Sequence, residues 1–344
     1  MKKTLACLLA AMTAFFAVPV SAEEEPRLLR VACVGDSLTQ GTCCSDEATC
    51  SYPAELQALL DQSRYEVKNF GASGFAAMKK YNKGWSYWDH ANFKKSHDYL
   101  PDIVILMLGT NDIIHNRFDT DYEADMKELI GTYQSLDSHP TVYVVTAPVA
   151  HDSRGDNLQN KVLPAQKKIA EETGCTLIDL NTETLSWAKN ELYAPDGLHF
   201  NDKGYLKMAG FFCETIFKEP LRTLTVKGDG NYTVSLAGQQ GNPSQGDLTF
   251  VTGNGKKTLA LQSADGSATF PLEVKGDTTL TLAGELMTGL TPNITYAEDE
   301  AVSSAEEPTE TKPSKLPILL SAAVFAVLIA AAAVILFIIT KRRK

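Results

Sequence analysis

From Leu28 to Pro220, apolar runs of strand length alternate with stretches of helical periodicity, and this alternation restricts the chain more than any other feature. "LLRVACVG" (28–35), "DIVILMLGTND" (102–112), "TVYVVTAPV" (141–149) and "CTLIDLN" (175–181) are strand-like. They are apolar at successive positions rather than at every second one, as strands buried on both faces are. "YEVKNFGASG" (65–74) reads as a further short strand running into a Gly-rich turn. Between these runs, "SYPAELQALLD" (51–61), "YEADMKELIGTYQSL" (122–136), "QNKVLPAQKKIAEETG" (159–174) and "NDKGYLKMAGFFCETIF" (201–217) read as helices, with Gly174 as a C-cap. Strands alternating with helices predict a parallel sheet covered on both faces. In such a fold the ligand site lies beyond the carboxyl ends of the strands. Ser37, Gly71 and Asn111 each follow a strand, so all three are expected on one rim.

After Pro220 the pattern changes to short Thr/Val/Leu runs separated by Gly, Asn and Asp turns. Residues 221–296 therefore read as a small all-β, sandwich-like module without a catalytic constellation, a stalk or a contact to cell wall or glycan. The acidic, Pro- and Thr-bearing stretch 297–316 reads as a disordered linker. Residues 317–340 carry no charge and would reach roughly 36 Å as a helix, enough to span a bilayer. The basic tail 341–344 then faces the cytoplasm. At the other end, Lys2 and Lys3, an apolar run and Val20-Ser21-Ala22 form a secretory signal peptide, residues 1–22. Together the two ends predict a single-pass type I protein of the cell membrane, with its 27–220 domain outside. A net charge of −10 argues against nucleic acid as a partner.

Export would leave Cys33, Cys43, Cys44, Cys50, Cys175 and Cys213 in an oxidising setting where disulfides are permitted. Cys43 or Cys44 with Cys50 would staple the loop "CCSDEATC". Cys33 reads as a small buried apolar residue, and Cys175 and Cys213 read the same way or as a pair. The cluster lacks a second Cys/His pair at ligand spacing, so no metal is expected.

Acyl transfer at a serine needs an exposed hydroxyl, a base, a group that orients the base, and preorganised donors for the oxyanion. Ser37 ends a buried strand and opens a helical turn. In "APDGLHFNDKGY", Asp196 stands three residues before His199, close enough within one tight loop for the carboxylate to reach the imidazole. Gly71 has no side chain to keep a ligand from its N–H, and Asn111 brings a side-chain NH2 to the end of the most apolar strand.

"VGDSLTQG" (34–41), Gly71 in "NFGASG", "LGTND" (108–112) and "DGLHF" (196–200) resemble the four blocks of the SGNH/GDSL hydrolase family, in that order, over Arg27 to Glu219. The resemblance implies a flavodoxin-like three-layer α/β/α domain that hydrolyses carboxylic esters without cofactor or metal. It implies Ser37 as nucleophile, His199 as base, Asp196 as its partner, and Ser37, Gly71 and Asn111 as the oxyanion hole. Asp36 would shape the turn.

The segment "MKKYNKGWSYWDHANF" (78–93) brings Trp85 and Trp88 between the Gly71 and Asn111 blocks, where they would line a sugar cleft or pack a surface helix. His115 follows a strand end and joins them as a substrate-lining candidate. The stretch from Gly84 through Asp112 is similar to bacterial SGNH enzymes grouped with sialate and xylan O-acetylesterases, which implies short acyl groups, chiefly acetyl, on a glycan. A lipase or lysophospholipase is the alternative among enzymes. A cell-surface adhesin with an inactive core is the alternative outside them.

Overall fold

The structure, a computed structural model, describes residues 27–80, 84–115, 117–284, 286 and 290–297. They belong to one compact unit ending at Ala297. The expected signal peptide, linker beyond Ala297, membrane span and basic tail lie outside the described residues. Among the described residues no helix is long and apolar enough to cross a membrane.

The first part is built on a five-stranded sheet of order β2-β1-β3-β4-β5. Its strands are β1 (Leu29–Gly35), β2 (Tyr65–Gly71), β3 (Ile103–Met107), β4 (Thr141–Val145) and β5 (Thr176–Ile178). All pairings are parallel. The order is the flavodoxin-type doubly wound arrangement, in which the switch point lies beside β1. The uniform apolarity of the strands now has its cause. Ala32, Val34, Val104, Leu106, Val142 and Val144 pack on one face, against the Phe118–Gln134 and Leu163–Thr173 helices. Val31, Cys33, Ile105, Met107 and Val145 pack on the other, against the Tyr52–Leu59 and Asp202–Thr215 helices. Each fully buried aliphatic side chain of this kind contributes roughly 1.5–3 kcal/mol, which sets the register firmly. In that register Gly35 stands level with both Gly71 and Met107, so β1, β2 and β3 end flush.

The same two faces rule out a Cys175–Cys213 pair, because Cys175 packs on the first layer and Cys213 on the second. All six cysteines of the described chain are free thiols. Cys50 lies 3.2 Å from the Ser45 hydroxyl rather than being bonded to Cys43 or Cys44.

The second part has strands β6 (Arg222–Gly228), β7 (Thr233–Leu236), β8 (Gln239–Gly241), β9 (Leu248–Thr252), β10 (Gly255–Ser263), β11 (Gly266–Val274), β12 (Thr278–Ala283) and β13 (Thr291–Tyr296). They form two four-stranded sheets, β11-β10-β7-β8 and β13-β12-β6-β9. One core joins the sheets: Leu224, Val226, Phe250, Leu280 and Leu282 from one, Val234, Leu259, Leu261, Leu272 and Val274 from the other.

This module is docked on the first part rather than hanging from it as a stalk. Lys257 is 1% exposed, and its Nζ donates to the carbonyls of Leu59 (2.7 Å) and Leu60 (2.6 Å), at the end of the Tyr52–Leu59 helix. A cation at a helix C-terminus meets both the unpaired carbonyls and the negative end of the dipole. Backbone bonds flank it: Gln62 N–H to the Lys256 carbonyl at 3.1 Å, and Lys256 N–H to Asp61 Oδ1 at 3.1 Å.

Candidate active site

Where β1 ends, Asp36 caps the short Ser37–Gln40 helix, its Oδ1 accepting the Leu38 N–H at 3.0 Å. Asp36 is fully buried, and burial pushes its carboxyl up to about 6 against the opposing pull of the Leu38 N–H and of His199 and Arg154. Ser37 is thus held as the first residue of a helix at the rim of the sheet. The Ser37 N–H makes no hydrogen bond among the described residues.

His199 reaches Ser37 from the loop ahead of the closing helix, with Nε2 2.8 Å from Ser37 Oγ. Its Nδ1 lies 2.6 Å from Asp196 Oδ2. The other oxygen, Oδ1, accepts the N–H groups of Leu198 and His199, both at 3.0 Å. A carboxylate at Asp196 makes Nδ1 the protonated nitrogen, leaving Nε2 to accept the serine proton. Burial alone would raise the Asp196 carboxyl, but the bonds from the His199 ring and the two N–H groups hold it below the ordinary carboxylate value. The loop is fixed from outside as well: Ala194 N–H bonds to the His199 carbonyl (2.8 Å) and His151 N–H to the Gly197 carbonyl (2.7 Å).

The oxyanion side departs from expectation at Gly71. Its N–H donates to Asn69 Oδ1 at 2.9 Å and is therefore spent. The glycine is required there for packing: a Cβ would come within 2.2 Å of Gln40 N and 2.7 Å of the Thr39 carbonyl carbon, backbone atoms of the Ser37–Gln40 helix. An uncommitted N–H lies instead at Gly74, at the far end of the same "NFGASG" block. Gly74 has φ +83°, a conformation glycine adopts without strain, and its N–H has no acceptor among the described residues. The turn carrying it is anchored to the Ser37–Gln40 helix, Ser73 N–H donating to Gln40 Oε1 at 2.8 Å. On its other side Asn111 Nδ2 donates to the Phe75 carbonyl at 2.9 Å. That bond commits part of an amide expected to be uncommitted, and in doing so orients it against the Gly74 turn.

Asp112, unnoticed in the sequence beyond its place in "GTND", holds this arrangement together. It is fully buried and accepts the N–H groups of Met78 (2.8 Å) and Ala77 (3.1 Å). Burial pushes its carboxyl up to about 7 in spite of those donors. Its signal in the sequence was only its adjacency to Asn111, since the N–H groups it accepts lie 34 and 35 residues away.

Of the aromatic candidates, Trp85 is brought to the site and Trp88 is not. Trp85 is 49% exposed and covers the oxyanion turn: its ring packs on Phe75 with centroids 5.2 Å apart, and a Cβ on Gly74 would meet it at 2.9 Å. Trp88 is half-buried against Phe93 at the edge of the core, and its indole N–H donates to the Ala77 carbonyl at 2.8 Å. An indole bonded inward to backbone has no donor left for a substrate, and the Lys79 ammonium lies over the Trp88 ring, 4.4 Å from its centroid. His115 closes the turn that Asn111 opens, its Nδ1 accepting the Arg117 N–H at 3.3 Å.

These positions together offer a hydroxyl, a base oriented by a carboxylate, and adjacent N–H donors on one rim, which is the equipment for nucleophilic acyl transfer. Residues 33–207, just over half of the chain, match the model of the GDSL-like Lipase/Acylhydrolase family. An acetylxylan esterase of Xylanibacter ruminicola is 29% identical over 213 residues, covering 55% of this chain and 43% of that protein. A multidomain esterase of Ruminococcus flavefaciens is 28% identical over 173 residues, covering 47% of this chain and 21% of that protein. The chain thus spans less than half the length of either relative. Among solved structures, a catalytic mutant of an acetylxylan esterase from Geobacillus stearothermophilus aligns with 55% of this chain and 95% of its own, at 20% identity and a TM-score of 0.41.

Proposed function

Because the chain belongs to the GDSL-like lipase/acylhydrolase family, a family of carboxylic ester hydrolases, we propose that it is a serine esterase removing short acyl groups, chiefly acetyl, from a glycan. The observation that carries the proposal is the unbroken line from Ser37 Oγ through His199 to Asp196, with links of 2.8 and 2.6 Å. His199 Nε2 takes the serine proton as Oγ attacks the ester carbonyl. Asp196 balances the imidazolium that results. The oxyanion meets the N–H groups of Ser37 and Gly74 and the amide of Asn111, each such donor being worth roughly 10²–10³ in turnover. Collapse of the tetrahedral intermediate breaks the bond to the sugar oxygen, which His199 protonates to the free hydroxyl, and water then releases the acyl group by the same route in reverse.

The relative named as an acetylxylan esterase supports acetyl as the acyl group and a xylan-like polysaccharide as the carrier. Trp85, exposed above the oxyanion turn, offers the aromatic face on which a sugar ring would stack. The signal and span expected at the chain ends would hold this domain outside the cell membrane, and protease accessibility on intact cells tests that part.

The function itself is tested with the purified full chain on p-nitrophenyl esters from acetate to decanoate, then on acetylated xylan and mannan, beside Ser37→Ala. Activity greatest on acetate and absent from the variant is the expected result. A maximum at decanoate turns the reading to a lipase. Equal rates for wild type and Ser37→Ala end the esterase reading.

A further inference from the structure

We propose that Cys43, Asp196 and His199 form a binding site for a borderline divalent cation of the Zn2+ type, and that its occupancy switches hydrolysis off. The second half rests on the esterase reading above; the binding itself does not. One ligand atom from each of the three side chains lies within 4.8 Å of the others. Cys43 comes from the loop after the nucleophile's helix, and its Sγ stands 3.9 Å from Asp196 Oδ2. The other two come from the loop ahead of the closing helix, where Oδ2 and His199 Nδ1 are 2.6 Å apart.

Thiolate, imidazole and carboxylate are the donor types that Zn2+ takes, with bonds of about 2.3 Å to sulfur and about 2.0–2.1 Å to nitrogen or oxygen. A tetrahedral ion with such bonds holds its ligand atoms roughly 3.3–3.6 Å apart. The thiol would close on the carboxylate by about 0.3 Å and on the ring by up to about 1.2 Å, and the carboxylate and ring would open by about 0.7 Å. Cys43 is exposed and lines an open depression of about 630 Å3 that also carries Glu191, Asp202 and Lys203, so a hydrated cation can reach the thiol from solvent. Water would complete the coordination.

The inhibition follows from proton positions. On binding, the thiol proton leaves to solvent and the ring proton moves from Nδ1 to Nε2, because the metal takes the lone pair at Nδ1. An Nε2–H facing Ser37 Oγ has no lone pair to receive the serine proton. The nucleophile is left unactivated with every residue of the site in place.

The test uses the full chain and two independent readouts. Co2+, which replaces Zn2+ and reports thiolate ligation by a charge-transfer band in the near ultraviolet, should give that band with wild type and not with Cys43→Ser. In the absence of metal, Cys43→Ser should hydrolyse p-nitrophenyl acetate like wild type. Zn2+ should inhibit wild type, chelator should reverse it, and Cys43→Ser should need at least roughly 10–100-fold more Zn2+, the loss that even an outer-shell change produces. A thiolate–Co2+ band that persists in Cys43→Ser, or equal Zn2+ sensitivity of the two proteins, overturns the proposal. If neither protein hydrolyses any ester, the fault lies with the esterase reading, and the Co2+ spectra still decide the site.

Discussion

Replacing Asp196 by Asn is the most exacting test of how the base is held. The substitution keeps the size of the side chain and an oxygen to accept the Leu198 and His199 N–H groups, which now bond to Oδ1 at 3.0 Å. The loop and the melting temperature should therefore change little. What changes is the group facing His199 Nδ1, at present a carboxylate oxygen 2.6 Å away. An amide NH2 there donates, so the ring must turn its lone pair to Nδ1 and its proton to Nε2, the wrong tautomer for accepting from Ser37. With a buried carboxylate such a change costs about 10⁴ in turnover. Here the Asp196 side chain is 44% exposed and that of His199 14%, so water supplies part of what the carboxylate supplied. The expected loss in kcat for p-nitrophenyl acetate is about 10³-fold, or about 4 kcal/mol in the barrier. KM should move far less. A loss smaller than tenfold in a variant that melts like wild type would refute the argument, since the orienting carboxylate would then be dispensable.

Asn111→Ala should lower kcat by about 10²–10³ and, because the Phe75 carbonyl loses its donor, stability by about 1–3 kcal/mol; an unchanged kcat would remove Asn111 from the oxyanion site. Lys257→Met keeps the aliphatic stem but leaves the Leu59 and Leu60 carbonyls without their donor. Unmet buried acceptors of this kind cost about 1–3 kcal/mol apiece, so urea unfolding should show a loss of about 2–6 kcal/mol, and no loss would mean that the lysine does not secure the module. Burial, eased in part by the Gly238 N–H, pushes the Glu55 carboxyl from 4.5 up to about 8. The folded chain then keeps that proton longer than the unfolded chain does, so the contribution to stability is complete below about 4.5 and declines as pH rises towards about 8. Glu55→Gln should remove this decline, and its unfolding free energy should gain on wild type between pH 5 and pH 8; parallel curves would place Glu55 elsewhere than in a buried, uncharged state.

How much of the molecule can be read from its residues depends on how far apart the interacting groups lie. The parallel sheet was legible because burial on both faces leaves its mark within each strand: Val31 and Cys33 pack one way, Ala32 and Val34 the other, and all four are apolar. The Asp196–His199 pair was legible because three residues of one turn suffice to make it. The oxyanion donor was not. "NFGASG" holds two glycines, and only the fold shows that Gly71 is small for the sake of the Gln40 backbone while Gly74 carries the uncommitted N–H. The two readings of Trp85 and Trp88 stayed open in the sequence for a related reason, since nothing in "GWSYWDH" tells which indole turns inward to the Ala77 carbonyl. The docking of the β module was hidden most completely. Lys257 alternates with Leu259 and Leu261 on the inward side of β10, yet a lysine there reads as an interruption of the apolar face. The carbonyls that make its burial tolerable belong to a helix end 197 and 198 residues earlier. Local periodicity and short-range motifs determined the sheet, its layers and the nucleophile's turn. Which N–H remains available, which ring faces outward and what meets a buried charge were decided by tertiary structure, because each depends on partners the chain supplies from far away.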